Sequence, residues 1–101
     1  MNVEITTPTP GHTVAALKGR LDLNTADEVQ KILMDLVNDG CRDLEINCAG
    51  LEYLSSYGIR VFLMLAKRLQ VLKGNVVLSE LPPLILKIMD TSGLTELFTI
   101  R

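Results

Sequence analysis

Tryptophan is absent, and two Tyr and two Phe supply all the aromatic surface, so any core this chain builds is aliphatic. There is one histidine, His12, which leaves little material for catalysis that needs an imidazole base. Neither sign of charge dominates: ten Lys and Arg face twelve Asp and Glu, for a net charge of −2. A nucleic-acid partner therefore has no electrostatic footprint. No apolar run reaches the roughly 20 residues that span a bilayer. The nearest, Ile59–Leu72, is interrupted by Arg60, Lys67, Arg68 and Gln70. Met1-Asn2-Val3-Glu4-Ile5 lacks the basic and apolar regions of a signal peptide. Cys41 and Cys48 are seven positions apart, without metal or redox spacing, and read as reduced thiols of a cytoplasmic protein. No glycine-rich phosphate loop occurs, and Asp22, Asp27, Glu28 and Asp35 lie on or beside one solvated helix. Neither a cofactor nor a metal is expected.

What is present is enough for one domain over residues 1–101. A chain of this size buries roughly 60–70% of its unfolded surface, and its apolar fraction of 48% suits a globular core. Val3 and Ile5 predict a short first strand, ended by Thr7-Pro8-Thr9-Pro10-Gly11. Thr13–Lys18 would pair with it antiparallel. Asn24-Thr25 open a helix, and Thr25 with Glu28 matches a capping box. On that helix Ala26, Val29, Ile32, Leu33, Leu36 and Val37 recur with the helical period, and Asp39-Gly40 stop it. Asp43–Cys48 alternates as a third strand. A second helix follows and ends at Lys73-Gly74. Asn75–Ser79 is a buried strand. Pro82-Pro83 start a third helix with Leu84, Ile85, Ile88 and Met89 inward, and Gly93 is its left-handed terminator. Leu97–Ile100 completes the order β-β-α-β-α-β-α-β. Strands joined through helices run parallel, so the fold class is α/β with a mixed, mostly parallel sheet and helices packed on it.

Leu51-Glu52-Tyr53-Leu54-Ser55-Ser56-Tyr57-Gly58-Ile59-Arg60 carries the strongest functional signal, because it places two hydroxyls where a helix begins. Free N–H groups and the positive end of the helix dipole favour an anion there. From spacing alone, Ser55 or Ser56 is a helix cap, a nucleophile or a phosphate acceptor. Nucleophilic catalysis would need a base and an oxyanion hole. Position 54 is Leu, so no Gly-x-Ser-x-Gly elbow exists, and the chain reads as no enzyme. Val61, Met64 and Leu65, with Met34, are apolar residues that the core need not cover, and adaptable Met side chains suit docking.

Leu54-Ser55-Ser56-Tyr57-Gly58-Ile59 resembles the signature of the STAS domain, shared by sulfate transporters and anti-sigma factor antagonists, which in the antagonists usually reads Asp-Ser-Ser/Thr/Ala-Gly-Leu. Gly19-Arg20-Leu21-Asp22-Leu23-Asn24-Thr25-Ala26 is similar to the family's Gly-x-Leu-Asp-x-x-Thr-Ala. Asp90-Thr91-Ser92-Gly93-Leu94, with Phe98 beyond, is similar to its Asp-x-x-Gly-Leu…Phe. The resemblance spans nearly the whole chain. Ser55 stands where the signature commonly has aspartate, and Tyr57 follows the acceptor position.

The resemblance implies a STAS domain acting as an anti-sigma factor antagonist. Its phosphorylation site would be Ser56, and its partner-binding residues Asp22, Thr25, Ser55, Ser56, Tyr57, Gly58 and Arg60. The partners implied are an anti-sigma factor, itself a serine kinase, and a phosphatase, with a weak homodimer left open. ATP and magnesium would belong to the kinase. A second expectation is the same fold without the switch, as a binding subunit of a lipid-transport ATPase complex or a signalling scaffold.

Overall fold

The computed structural model describes all 101 residues. The elements are β1 (Asn2–Thr9), β2 (His12–Leu21), α1 (Ala26–Asn38), β3 (Asp43–Leu54), α2 (Ser56–Val71), β4 (Asn75–Ser79), α3 (Pro83–Thr91), a 3-10 turn at Thr95–Leu97, and β5 (Thr99–Ile100). The five strands form one sheet in the order β1-β2-β3-β4-β5, with β1 antiparallel to β2 and every other pair parallel. This is the expected mixed, mostly parallel arrangement.

Alternation decides the faces. On β3, Leu44, Ile46 and Cys48 are fully buried while Asp43, Glu45 and Asn47 are not. The buried set joins Ala15 and Leu17 of β2, Val29, Leu33 and Val37 of α1, and Phe62, Leu65 and Leu69 of α2 in one core of 21 residues. Phe62 meets Phe98 edge to face with ring centroids 6.4 Å apart, the one aromatic pair of an otherwise aliphatic interior.

Several elements differ from expectation for identifiable reasons. β1 runs through Pro8 to Thr9, which an edge strand permits, with an irregular register between Thr6 and Thr9. β3 continues six residues past Cys48, to Leu54. Opposite β2 its register slips between Ala16 and Lys18 and again between Gly19 and Arg20, so 12 residues of β3 face ten of β2. These bulges change the spacing of buried positions to 48, 51 and 54, which hides the strand from a period-two reading. Gly50 sits in the first slip, where a Cβ would come within 2.6 Å of Lys18 Cγ.

Lys73, at φ +62°, is the left-handed residue after α2. Gly74 is required for a different reason, because a Cβ there would overlap the Arg42 carbonyl oxygen. On α3, Ile85 and Met89 are buried but Leu84 is 53% exposed, on the side turned to solvent. Gly93 terminates α3 as expected, at φ +71°, with Gly93 N–H donating to Asp90 O and Leu94 N–H to Met89 O. The C-terminal strand is shorter than expected because Thr95–Leu97 coils into the 3-10 turn.

Candidate functional site

The C-terminal ends of β2 and β3 lie side by side, with Leu21 opposite Leu54, and the next backbone bond crosses from one to the other, Ser55 N–H to Leu21 O at 2.9 Å. The β2–α1 loop and the start of α2 are thereby brought to one sheet edge, where ligand sites of parallel sheets form.

Asp22 and Thr25 build the loop. Asp22 Oδ1 accepts from Asn24 N–H at 2.9 Å. Thr25 Oγ1 accepts from Asp22 N–H at 3.0 Å and donates to Arg20 O at 2.7 Å. The Thr25 hydroxyl is thus committed to the loop and caps no N–H of α1, so the expected capping box with Glu28 does not form.

At α2 the two serines divide the work. Ser55 is the N-cap, with extended φ/ψ, and its Oγ accepts from Tyr57 N–H at 3.2 Å. Ser56 is the first helical residue and is exposed. Its hydroxyl is spent on no hydrogen bond within the chain and opens into a groove of about 330 Å³ lined by Ile59, Arg60, Leu63, Ser92 and Leu94. Tyr57 is 43% exposed, and the Arg60 guanidinium lies 5.9 Å from its ring centroid. The site therefore holds an accessible hydroxyl, an exposed aromatic and an exposed cation in no ion pair, without a base beside the serine. His12, which starts β2, pairs with Asp43 and Glu45 at the opposite end of β3.

Comparison with known proteins gives the family of the chain. Residues 5–99 match the family model described as Mlab, STAS domain. The chain belongs to the STAS domain family. The Bordetella bronchiseptica protein named "Putative anti-sigma factor antagonist BtrV" is 32% identical over 90 residues, covering 89% of this chain and 78% of that protein. Among solved structures, the anti-sigma factor antagonist SpoIIAA in its unphosphorylated form superposes with a TM-score of 0.83 at 20% identity, covering 99% of this chain and 88% of the other. The phosphorylated form of the Bacillus SpoIIAA gives 0.76 at 20% identity, covering 99% and 91%. At that identity the two structures speak for the fold.

Within this STAS domain the expected site residues fall into two groups. Ser55, Ser56, Tyr57 and Arg60 gather at the start of α2, and Asp22 and Thr25 lie across the Ser55–Leu21 bond from them. Gly58 is a correction: it is buried, and a Cβ there would lie 2.6 Å from Leu54 Cδ1 and 2.7 Å from Leu21 Cγ. It allows α2 to settle on the strand ends and offers no surface. Val61 and Leu65 are also buried, and Met34 packs partly against the core, which leaves Met64 as the exposed member of that apolar set.

Sequence reasoning missed three residues of the edge. Arg20 stacks on Tyr53 at 4.5 Å from the ring centroid and approaches Asp22 Oδ2 at 3.6 Å, a pairing across β2 and β3 visible only once the bulged register is known. Leu23 is 63% exposed in the β2–α1 loop. Its signal was available: a bulky apolar residue between polar turn formers. Elsewhere, both cysteines are free, and burial pushes the Cys48 thiol up to about 12, far from any thiolate chemistry. No three His, Cys, Asp or Glu side chains are placed to hold a metal ion, and no helix is long and apolar enough to cross a membrane.

Proposed function

We propose that this STAS domain is a cytoplasmic anti-sigma factor antagonist that works by partner switching at Ser56. The observation that carries the reading is the division between the two serines. Ser55 satisfies the helix cap, so the Ser56 hydroxyl stays exposed and free for transfer. In the unphosphorylated state the edge bearing Asp22, Tyr57 and Arg60 binds an anti-sigma factor, and the sigma factor is released. The anti-sigma factor acts as kinase: the Ser56 oxygen takes the γ-phosphoryl group of ATP, its proton leaves, and ADP departs. A phosphatase reverses the change by hydrolysis.

Physical chemistry supports a change of surface without a change of fold. A phosphate adds roughly −1.5 to −2 charges beside helix N–H groups, which tolerate an anion, while a partner seated over it must desolvate that charge. Phosphorylated and unphosphorylated SpoIIAA both share this fold.

Intact-mass and phosphopeptide analysis of the protein from its own cells, with its co-purifying partners, tests the reading. Phosphoserine at 56 and a co-purifying ATP-dependent serine kinase are expected. An unmodified Ser56 under all growth conditions, with a transport ATPase as the stable partner, would support the non-switching binding subunit instead.

A further inference from the structure

Arg60 follows Ser56 by one helical turn, so the two side chains lie on the same face of α2, and they line the same groove. Helical side chains lean toward the N-terminus, which carries the long Arg60 side chain back toward Ser56. α2 contains no acidic residue from Ser56 to Val71, and Arg60 takes part in none of the chain's ion pairs. Its one contact of note is the Tyr57 ring at 5.9 Å, near the outer limit for attraction between a cation and an aromatic face. Arg60 is therefore a solvated cation beside the hydroxyl, held only loosely where it is.

We propose that Arg60 is the positioning residue for the phosphorylated state, turning from the Tyr57 ring to bind the Ser56 phosphate within the chain. The inference rests on the phosphorylation of Ser56 argued above. A charge-assisted, bidentate contact between guanidinium and phosphate outweighs an exposed cation–aromatic contact. Tyr57 N–H is already taken by Ser55 Oγ, so the phosphate meets fewer free backbone donors and the side-chain donors of Arg60 count for more. Phosphorylation then changes three things together. The anion is drawn down along α2, the Arg60 charge is withdrawn from the partner surface, and the Tyr57 ring loses its neighbour. A partner that used the Arg60 cation and the Tyr57 face meets a surface of reversed charge.

Phosphoserine is installed at position 56 during synthesis, in the parent chain, in R60Q and in R68Q, and phosphorus NMR follows its second ionisation against pH. The R68Q variant removes the same charge from the exposed last turn of the same helix. The phosphate of the parent is expected to titrate about half a pH unit or more below that of R60Q, with R68Q following the parent. Added salt of about 0.5 M should narrow the gap. Coincident titrations of the parent and R60Q overturn the proposal, as does an equal shift in R68Q, which would reduce Arg60 to a share of the general field. Because no kinase installs the phosphate, this titration can fail while Ser56 remains a cellular switch. Likewise, a cellular Ser56 that is never phosphorylated leaves the titration untouched.

Discussion

Adjacent serines at the start of one helix give two different mutants. Ser55→Ala removes the hydroxyl that accepts from Tyr57 N–H and is expected to cost about 1 kcal/mol in chemical denaturation. Ser56→Ala removes an exposed hydroxyl with no partner and should leave the denaturation midpoint within about 0.5 kcal/mol of the parent. Equal losses would mean that the two residues share the cap. Tyr57 makes the opposite test, of binding without stability: Tyr57→Ala should weaken binding of the anti-sigma partner by more than about 1 kcal/mol and barely move the melting temperature, since the residue is 43% exposed. At Gly58 the expectation is reversed again. Gly58→Ala drives a Cβ into Leu54 and Leu21 and should cost about 1–3 kcal/mol in a melt. A neutral Gly58→Ala would show that α2 is free to lift from the strand ends.

At the scale of elements, the end of the sheet remote from Ser56 carries its own electrostatics. His12 reaches Asp43 Oδ2 with Nδ1 at 3.0 Å and Glu45 Oε1 with Nε2 at 3.1 Å, which uses both nitrogens as donors only when the ring is charged. Those two bonds, that to Asp43 foremost, raise the imidazole above its ordinary 6.5. Glu45 also accepts from Ser79 Oγ at 2.7 Å, the main reason its carboxyl lies below its ordinary 4.5, and Arg101 approaches it at 3.6 Å. The cluster ties β2, β3, β4 and the C-terminus together. A raised imidazole stabilises the fold below pH 6.5, and that contribution disappears as pH rises through the folded value. A lowered carboxyl stabilises above pH 4.5, and that contribution disappears as pH falls through its folded value. The melting temperature should therefore peak between these limits, and His12→Gln should flatten the upper flank. Proton NMR of the single histidine gives the decisive number, and a value at or below 6.5 would contradict the cluster. The same scale shows where sequence reading stops. The amphipathic period of α1, the prolines that open α3 and the alternation of Leu44, Ile46 and Cys48 are local patterns, and each names its element. The outer half of β3 is not local, since its bulges are defined only against β2. Leu84 likewise fits the helical period of α3, and only the packing of that helix turns it outward.

For the molecule as a whole, the order of elements and the edge that gathers Asp22, Ser55, Ser56, Tyr57 and Arg60 were legible from three motifs in sequence. The roles within the edge were not, because capping by Ser55, burial of Gly58 and the Arg20–Tyr53 stack depend on contacts between strands and helix. The core is closed, with α2 seated by Gly58, and the groove at Ser56 lies outside it, so on the proposed reading a phosphate there would change the surface without disturbing what lies beneath. The central claim is that this change alone decides partner binding. The most direct measurement is calorimetric titration of the anti-sigma partner with four folded forms: unmodified, Ser56→Ala, Ser56→Asp and Ser56-phosphorylated. Unmodified and Ala forms should bind alike, and the phosphorylated form should bind at least about a hundredfold more weakly, the scale of desolvating at the interface the net negative charge that the phosphate leaves there. The Asp form should fall between, with about one charge in place of nearly two. Equal binding by the phosphorylated and unmodified forms would contradict the switch and leave a STAS domain that docks without being released.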